Sequence, residues 1–195
     1  IIIWYAVRHG TNTFSNYSVI THSLGQISGL IGMTLFALTF ILTTRMHFIE
    51  NIFGGLDRAY KTHHLIGVIS FILIIFHPLL LVIKFVPSQM HIAAVYLLPS
   101  SSWPVNFGII ALLSLILLIV LTIFAKITYQ KWKISHKFMG IVFALACFHV
   151  FFITTDITFY PALKYYMLGI SFFGMGSYIY TLLRPLLWKG KIYTI

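Results

Sequence analysis

An all-α integral membrane bundle is the fold class this sequence predicts, and three observations predict it. Hydrophobic residues fill 59% of the 195 positions and charged residues only 8%, against a soluble average of about 25% charged. Mean hydropathy is +0.96. The apolar residues form long unbroken runs, each near or above the ~20 residues a bilayer needs, instead of alternating as barrel strands do. Lipid offers the backbone no hydrogen-bond partners, so runs of this kind must satisfy themselves as helices.

Taken in order, the chain opens without a methionine at Ile1-Ile2-Ile3-Trp4-Tyr5-Ala6-Val7, which reads as the last two turns of a first helix already under way. The sequence is therefore read as a fragment, in which a signal peptide could not be recognised. Five complete spans follow, as the second to sixth helices of a six-helix bundle: Ser23 to Thr44, Thr62 to Ile83, Val105 to Ile127, Ile134 to Thr154 and Pro161 to Leu187. Gly54-Gly55, Pro87-Ser88 and the stretch from Pro99 to Pro104 punctuate the loops between them. Residues 1–188 form the membrane domain. Residues 189–195 alternate in polarity as they leave it, and are expected to begin a missing cytoplasmic domain with a strand.

The net charge of +10 raises the question of nucleic acid, but the basic residues sit at the ends of apolar runs and form no patch or stripe, so no nucleic-acid partner is expected. Counted by alternate loops, ten of the 13 lysines and arginines fall on one side and Arg8, Lys84 and Lys164 on the other. The positive-inside rule then makes the basic side cytoplasmic, in a multi-pass protein of the cytoplasmic (plasma) membrane surrounded by the lipid bilayer. Helices 3 and 5 both start on that side and run outward in parallel. Cys147 is the one cysteine, which excludes an internal disulfide and a cysteine-built iron-sulfur or zinc site.

The chemistry is carried by histidines. Of nine, His63, His64, His77, His136 and His149 lie on helices 3 and 5, where ionisable groups are costly and mark a site. Neutral imidazole is a normal axial ligand of haem iron, and facing bundle helices can supply such ligands in pairs. His63 and His77 stand 14 residues apart, about 21 Å of rise and close to a whole number of turns, so both leave on one face. His64 would lose that alignment and is assigned to the interface or beside the site. His136 and His149 are 13 apart, about 20 Å, which matches in height but not in angle, so a local distortion or a different ring direction is required. In a parallel pair of helices, His63 with His136 would hold an inner haem and His77 with His149 an outer one. Gly67 and Gly140 stand one turn beyond the inner histidines, where a missing side chain would let a porphyrin approach. Pro78 removes a helical hydrogen bond directly after His77.

Further candidates surround these four. Arg45, Arg58, Lys61 and Lys137 are placed to neutralise propionates, although topology alone also explains them. His22 is a polar neighbour for the outer haem. Phe71 and Phe143 lie between the two levels, where ordinary packing is their default explanation. A lone intramembrane histidine commonly bridges helices, but four at matching heights fit ligation better.

The segment Gly25 to Gly32, Arg45, Gly55-Leu56-Asp57-Arg58-Ala59-Tyr60-Lys61-Thr62-His63, His77-Pro78, Trp132 to Gly140 and His149 together resemble the ferric reductase-like transmembrane domain shared by ferric reductases and NADPH oxidases. The resemblance covers nearly the whole chain. It implies six helices with two b-type haems held by histidine pairs of helices 3 and 5 at spacings of 14 and 13, and it selects His63 over His64. It also implies an oxidoreductase whose cytoplasmic FAD and NAD(P)H domain, fused or separate, feeds the inner haem. NADPH oxidases have a histidine and an arginine near the outer haem where this chain has Leu81 and Gln26. That departure favours a ferric chelate over O2 as acceptor. The outer segment Lys84 to Pro104, with His91, Tyr96 and Trp103, is the expected cover and acceptor side, although its aromatics also suit membrane anchoring.

The expected function is transmembrane electron transfer through two haems. The alternatives are a haem-b subunit exchanging electrons with quinone or a separate flavoprotein, and, in another class, a transporter or scaffold whose histidines bind protons or bridge helices.

Overall fold

The computed structural model describes residues 17–86, 88–124 and 128–187. The expected helix remnant at the start and the expected domain beginning at residues 189–195 lie outside the described residues. Within them the chain is helical and contains no strand. Helix α1 runs Tyr17–Leu42, and a short α2, His47–Phe53, crosses to α3, Leu56–Val82, which a 3-10 turn, Ile83–Phe85, extends. On the far side lies α4, Met90–Tyr96, before α5, Trp103–Phe124. Helices α6, Tyr129–Lys137, and α7, Met139–Phe152, are nearly continuous, and α8, Asp156–Phe159, leads into α9, Pro161–Leu187. Five stretches are long and apolar enough to cross a membrane: α1, α3 with its 3-10 turn, α5, α6 with α7, and α9. They are the five complete spans expected from hydropathy.

Four of the spans begin earlier than hydropathy suggested, among them α5 at Trp103 before Val105 and α6 at Tyr129 before Ile134. Helix α1 starts at Tyr17, before Ser23, and α3 at Leu56, before Thr62. Asp57, Arg58 and Lys61 are too polar for lipid, so a hydropathy window stops short of them, yet the backbone ladder continues through the interface. Gly54 (φ 68) and Gly55 (φ 124) make the turn into α3 in backbone conformations that glycine reaches without strain. Asp57 then lies in the first turn, where the helix dipole favours a carboxylate.

Helix α1 lies antiparallel to α3 as the most extensive helix pair, α5 packs on α7, and α9 covers α1. Ser70 of α3 donates a hydrogen bond to the Gly32 carbonyl of α1 at 2.8 Å, a polar tie of the kind that joins helices in lipid. Phe143 of α7, fully buried, packs edge-on to Phe36 at 5.3 Å and lies 5.1 Å from Phe40. Gly174 brings α9 close to this cluster, since a Cβ there would come within 3.0 Å of Phe143 and Ala37. Phe143 is thus a core residue joining α7 to α1 and α9. Helices α3 and α7, by contrast, have no extensive backbone contact with each other.

The junction of α6 and α7 is a local distortion, one of the two ways in which the 13-residue spacing could be met. The Phe138 N–H bonds back three residues to the Ser135 carbonyl at 3.0 Å, and the Ile141 N–H reaches Phe138 at 2.9 Å. Thirteen residues at ~100° each stop ~140° short of four turns, and a tighter 3-10 turn at ~120° per residue recovers part of the deficit. Tightening leaves the Lys137 carbonyl without its usual partner, and the Tyr178 hydroxyl of α9 donates to it at 3.0 Å.

Candidate functional site

The two histidines of α3 are held by α1. His63 Nδ1 lies 3.0 Å from the Thr39 carbonyl and His77 Nδ1 lies 2.7 Å from the Gly25 carbonyl. Thr39 and Gly25 are themselves 14 residues apart, the same interval as the histidines, so two antiparallel helices of equal pitch present each ring with an acceptor at its own level. A carbonyl can only accept, so the proton of each neutral ring sits on Nδ1 and Nε2 keeps a free lone pair.

On the opposite helix, His149 repeats the arrangement, with its Nδ1 donating to the Pro104 carbonyl of α5 at 2.8 Å. His136 does not. Its Nδ1 is buried and has no hydrogen-bond partner among the described residues. Trp132, one turn earlier, stacks on its ring at 5.2 Å between centroids and 18° between planes.

Two glycines seat the outer rings. A Cβ on Gly29 would lie 2.6 Å from His77 Nδ1, and one on Gly108 would lie 2.7 Å from His149 Nδ1. Each glycine stands four residues after the acceptor carbonyl, Gly25 or Pro104, so one turn of α1 or α5 supplies both a hydrogen bond and a recess. Sequence reasoning missed both roles. Their one available signal was small residues at helical spacing inside apolar runs, which mark close approach in membranes.

The rings come together as two pairs. His63 faces His136 with ring centroids 6.3 Å apart, and His77 faces His149 at the same 6.3 Å. Imidazole nitrogens bind metals at about 2.0–2.1 Å, so two imidazoles on opposite sides of one metal place their ring centres roughly 6 Å apart. Among the described residues no group of three or more His, Cys, Asp or Glu converges on a metal position. A metal held here would take its remaining ligands from elsewhere.

The other candidates separate by level. At the end that carries the basic loops, Arg45 (φ 54) donates from Nε to the Tyr60 hydroxyl at 2.8 Å and rests its guanidinium 5.7 Å over that ring. Arg58 and Lys61 are exposed and, with Gly54 to Asp57, line an open depression of about 450 Å³. Lys137 is exposed at the end of α6, and His64 is exposed and outside the pairs. Around Gly67 there is room, the nearest atom to a Cβ being Thr39 Cγ2 at 3.9 Å. Around Gly140 there is none, because the Tyr178 ring fills that place; the bare backbone there admits a neighbouring helix.

At the other end, His22 and Gln26 of α1 are partly buried, and Leu81 packs over Gly25, close enough that a Cβ there would lie 2.8 Å from Leu81 Cδ2. His91 is exposed on α4. Trp103, half exposed at the start of α5, packs on Phe107 at 5.7 Å and Phe152 at 4.8 Å. Phe71, partly buried, rests against the core near mid-span.

Residues 28–147 match the family model of the ferric reductase like transmembrane component. The chain belongs to that family. The match takes in more than half of the 195 residues, including His63, His77 and His136, and ends two residues before His149. Comparison with curated proteins finds no match. A ferric reductase-like transmembrane domain suggests a membrane oxidoreductase component and transmembrane electron transfer, and the five spans place it in a bilayer as a multi-pass protein.

Proposed function

We propose that this domain carries electrons across the membrane through two b-type haems, His63 and His136 ligating the inner iron and His77 and His149 the outer. The observation that carries this reading is the pair of equal 6.3 Å ring separations at two levels of one helix pair. The donor set fits the group. Three of the four rings have Nδ1 turned to a backbone carbonyl, which fixes the tautomer and strengthens Nε2 as a ligand. The separation of α3 and α7, with the open backbone at Gly67, suits a flat macrocycle that brings its own equatorial nitrogens.

The iron, when bound, supplies one-electron redox chemistry, and the protein sets its ease by ligand type, hydrogen bonding and burial. With His63 and His136, or His77 and His149, holding the iron, the residues of this chain would offer no further ligand position to an acceptor, which would have to meet the group from its side. At the inner end Arg58 and Lys61, with the free guanidinium nitrogens of Arg45 and with Lys137, offer cationic groups to propionates. Electrons enter from a cytoplasmic flavin and NAD(P)H donor, fused or separate. At the outer end, His22, Gln26, His91 and Trp103 are on the acceptor side. Leu81 and Gln26 stand where NADPH oxidases carry a histidine and an arginine, and the lack of those polar groups favours a ferric chelate over dedicated reduction of O2.

A reduced-minus-oxidised spectrum with a pyridine haemochrome assay tests the reading. Two b haems per chain are expected, and none leaves a transporter or scaffold; one leaves a haem-binding partner subunit. Replacing His63, His77, His136 or His149 singly with alanine should remove one haem, and His64→Ala should remove neither.

A further inference from the structure

We infer that Trp132 is the positioning residue for His136, holding by ring stacking the one imidazole of the four that has no carbonyl to hold it. The inference rests on the two-haem reading and goes beyond it by making the two haems unlike in their support. His63, His77 and His149 are each oriented by a hydrogen bond of 2.7 to 3.0 Å from Nδ1 to a neighbouring helix. A hydrogen bond of that kind fixes the direction of the ring and raises the basicity of the other nitrogen. His136 Nδ1 is equally shielded from solvent but finds no acceptor among the described residues.

What it has instead is a face. Trp132 lies one helical turn before His136, so both side chains project from the same side of α6. Their rings are nearly parallel, at 18°, with centroids 5.2 Å apart. Tyr129, one turn before Trp132, also stacks on the indole at 5.7 Å and 25°, so the indole is itself restrained by a second ring of the same helix. Offset stacking of this kind is attractive beyond the area it covers. It restrains the tilt of the imidazole, which a ligand bond from Nε2 alone leaves free, without withdrawing or adding a proton at Nδ1.

Two consequences follow for the inner iron. One of its two ligands would lack a hydrogen bond to a described backbone carbonyl, whereas both ligands of the outer iron would possess one, so the two irons would differ in the strength of their imidazole ligands. The plane of the His136 ring is set by Trp132 and not by a described backbone acceptor.

The test compares Trp132→Leu, which keeps apolar bulk and loses the ring, with Trp132→Phe, which keeps a stacking face. Readouts are the low-spin electron paramagnetic resonance signals and the midpoint potentials of the purified protein, with His136→Ala marking the inner haem by its loss. Trp132→Leu should shift or broaden the inner signal and move its potential, leaving the outer haem as in the wild type, while Trp132→Phe stays close to the wild type. If the two variants behave alike, or if Trp132→Leu loses both haems together, the inference fails. An indole serving only to anchor the helix at the membrane surface would leave the inner signature unchanged, and that result also overturns it. A wild-type protein without haem would instead refute the proposed function on which the inference stands.

Discussion

Each imidazole of the outer pair is gripped on two sides, by a carbonyl and by a glycine one turn further along the same helix. Gly29→Val or Gly108→Val puts carbon where the ring of His77 or His149 now lies, and a closely packed interior has no slack to absorb it. Either variant is expected to lose the outer haem and keep the inner, read as a drop to one haem per chain in the pyridine haemochrome assay. The ligand candidates themselves were legible from spacing, because 14 and 13 residues of helix give nearly equal rises. The seats were not legible. Which turn of α1 or α5 faces a given ring depends on the rotation of one helix about another, which no single run of residues encodes.

Among the elements, α6 and α7 show how an awkward interval is accommodated. The sequence called for a distortion between His136 and His149, or a different ring direction, without saying which or where. The structure puts it at Phe138, and the reason lies on another helix: Tyr178 caps the carbonyl that the tight turn releases, through a gap that Gly140 leaves. Tyr178→Phe should cost about 1 kcal/mol of stability in mild detergent, the usual worth of such a bond in a membrane helix pair. Ser70→Ala, which unties α3 from α1, should cost a similar or smaller amount, about 0.5–1 kcal/mol by the same reasoning. Thermal unfolding of the haem-loaded protein measures both. Helix ends were less visible to hydropathy than helix centres, as Leu56 against Thr62 illustrates, because the first turns of α3 carry Asp57, Arg58 and Lys61.

For the molecule as a whole, the distribution of basic residues predicts its orientation. In a Cys147→Ser background, Lys131→Cys should react with an impermeant thiol reagent only from the cytoplasmic side, and Met90→Cys only from outside; both positions are exposed. The reverse pattern would invert the direction of electron flow proposed above. Because α3 and α7 touch each other so little, the protein made without porphyrin should be digested faster by protease than the loaded form, through stabilisation of the native state by what it binds.

The carbonyls of Gly25 and Thr39 that steady the α3 rings have a bearing on biosynthesis. Helices α1 and α3 emerge from the ribosome well before α7, so one wall of both sockets, its two imidazoles already aimed, stands finished while the opposite wall has yet to be translated. If haem is the ligand, assembly would thereby be ordered in time: the haem could be enclosed only once the later hairpin arrives, and a nascent chain stalled before α5 would present two half-sockets with nothing to close them.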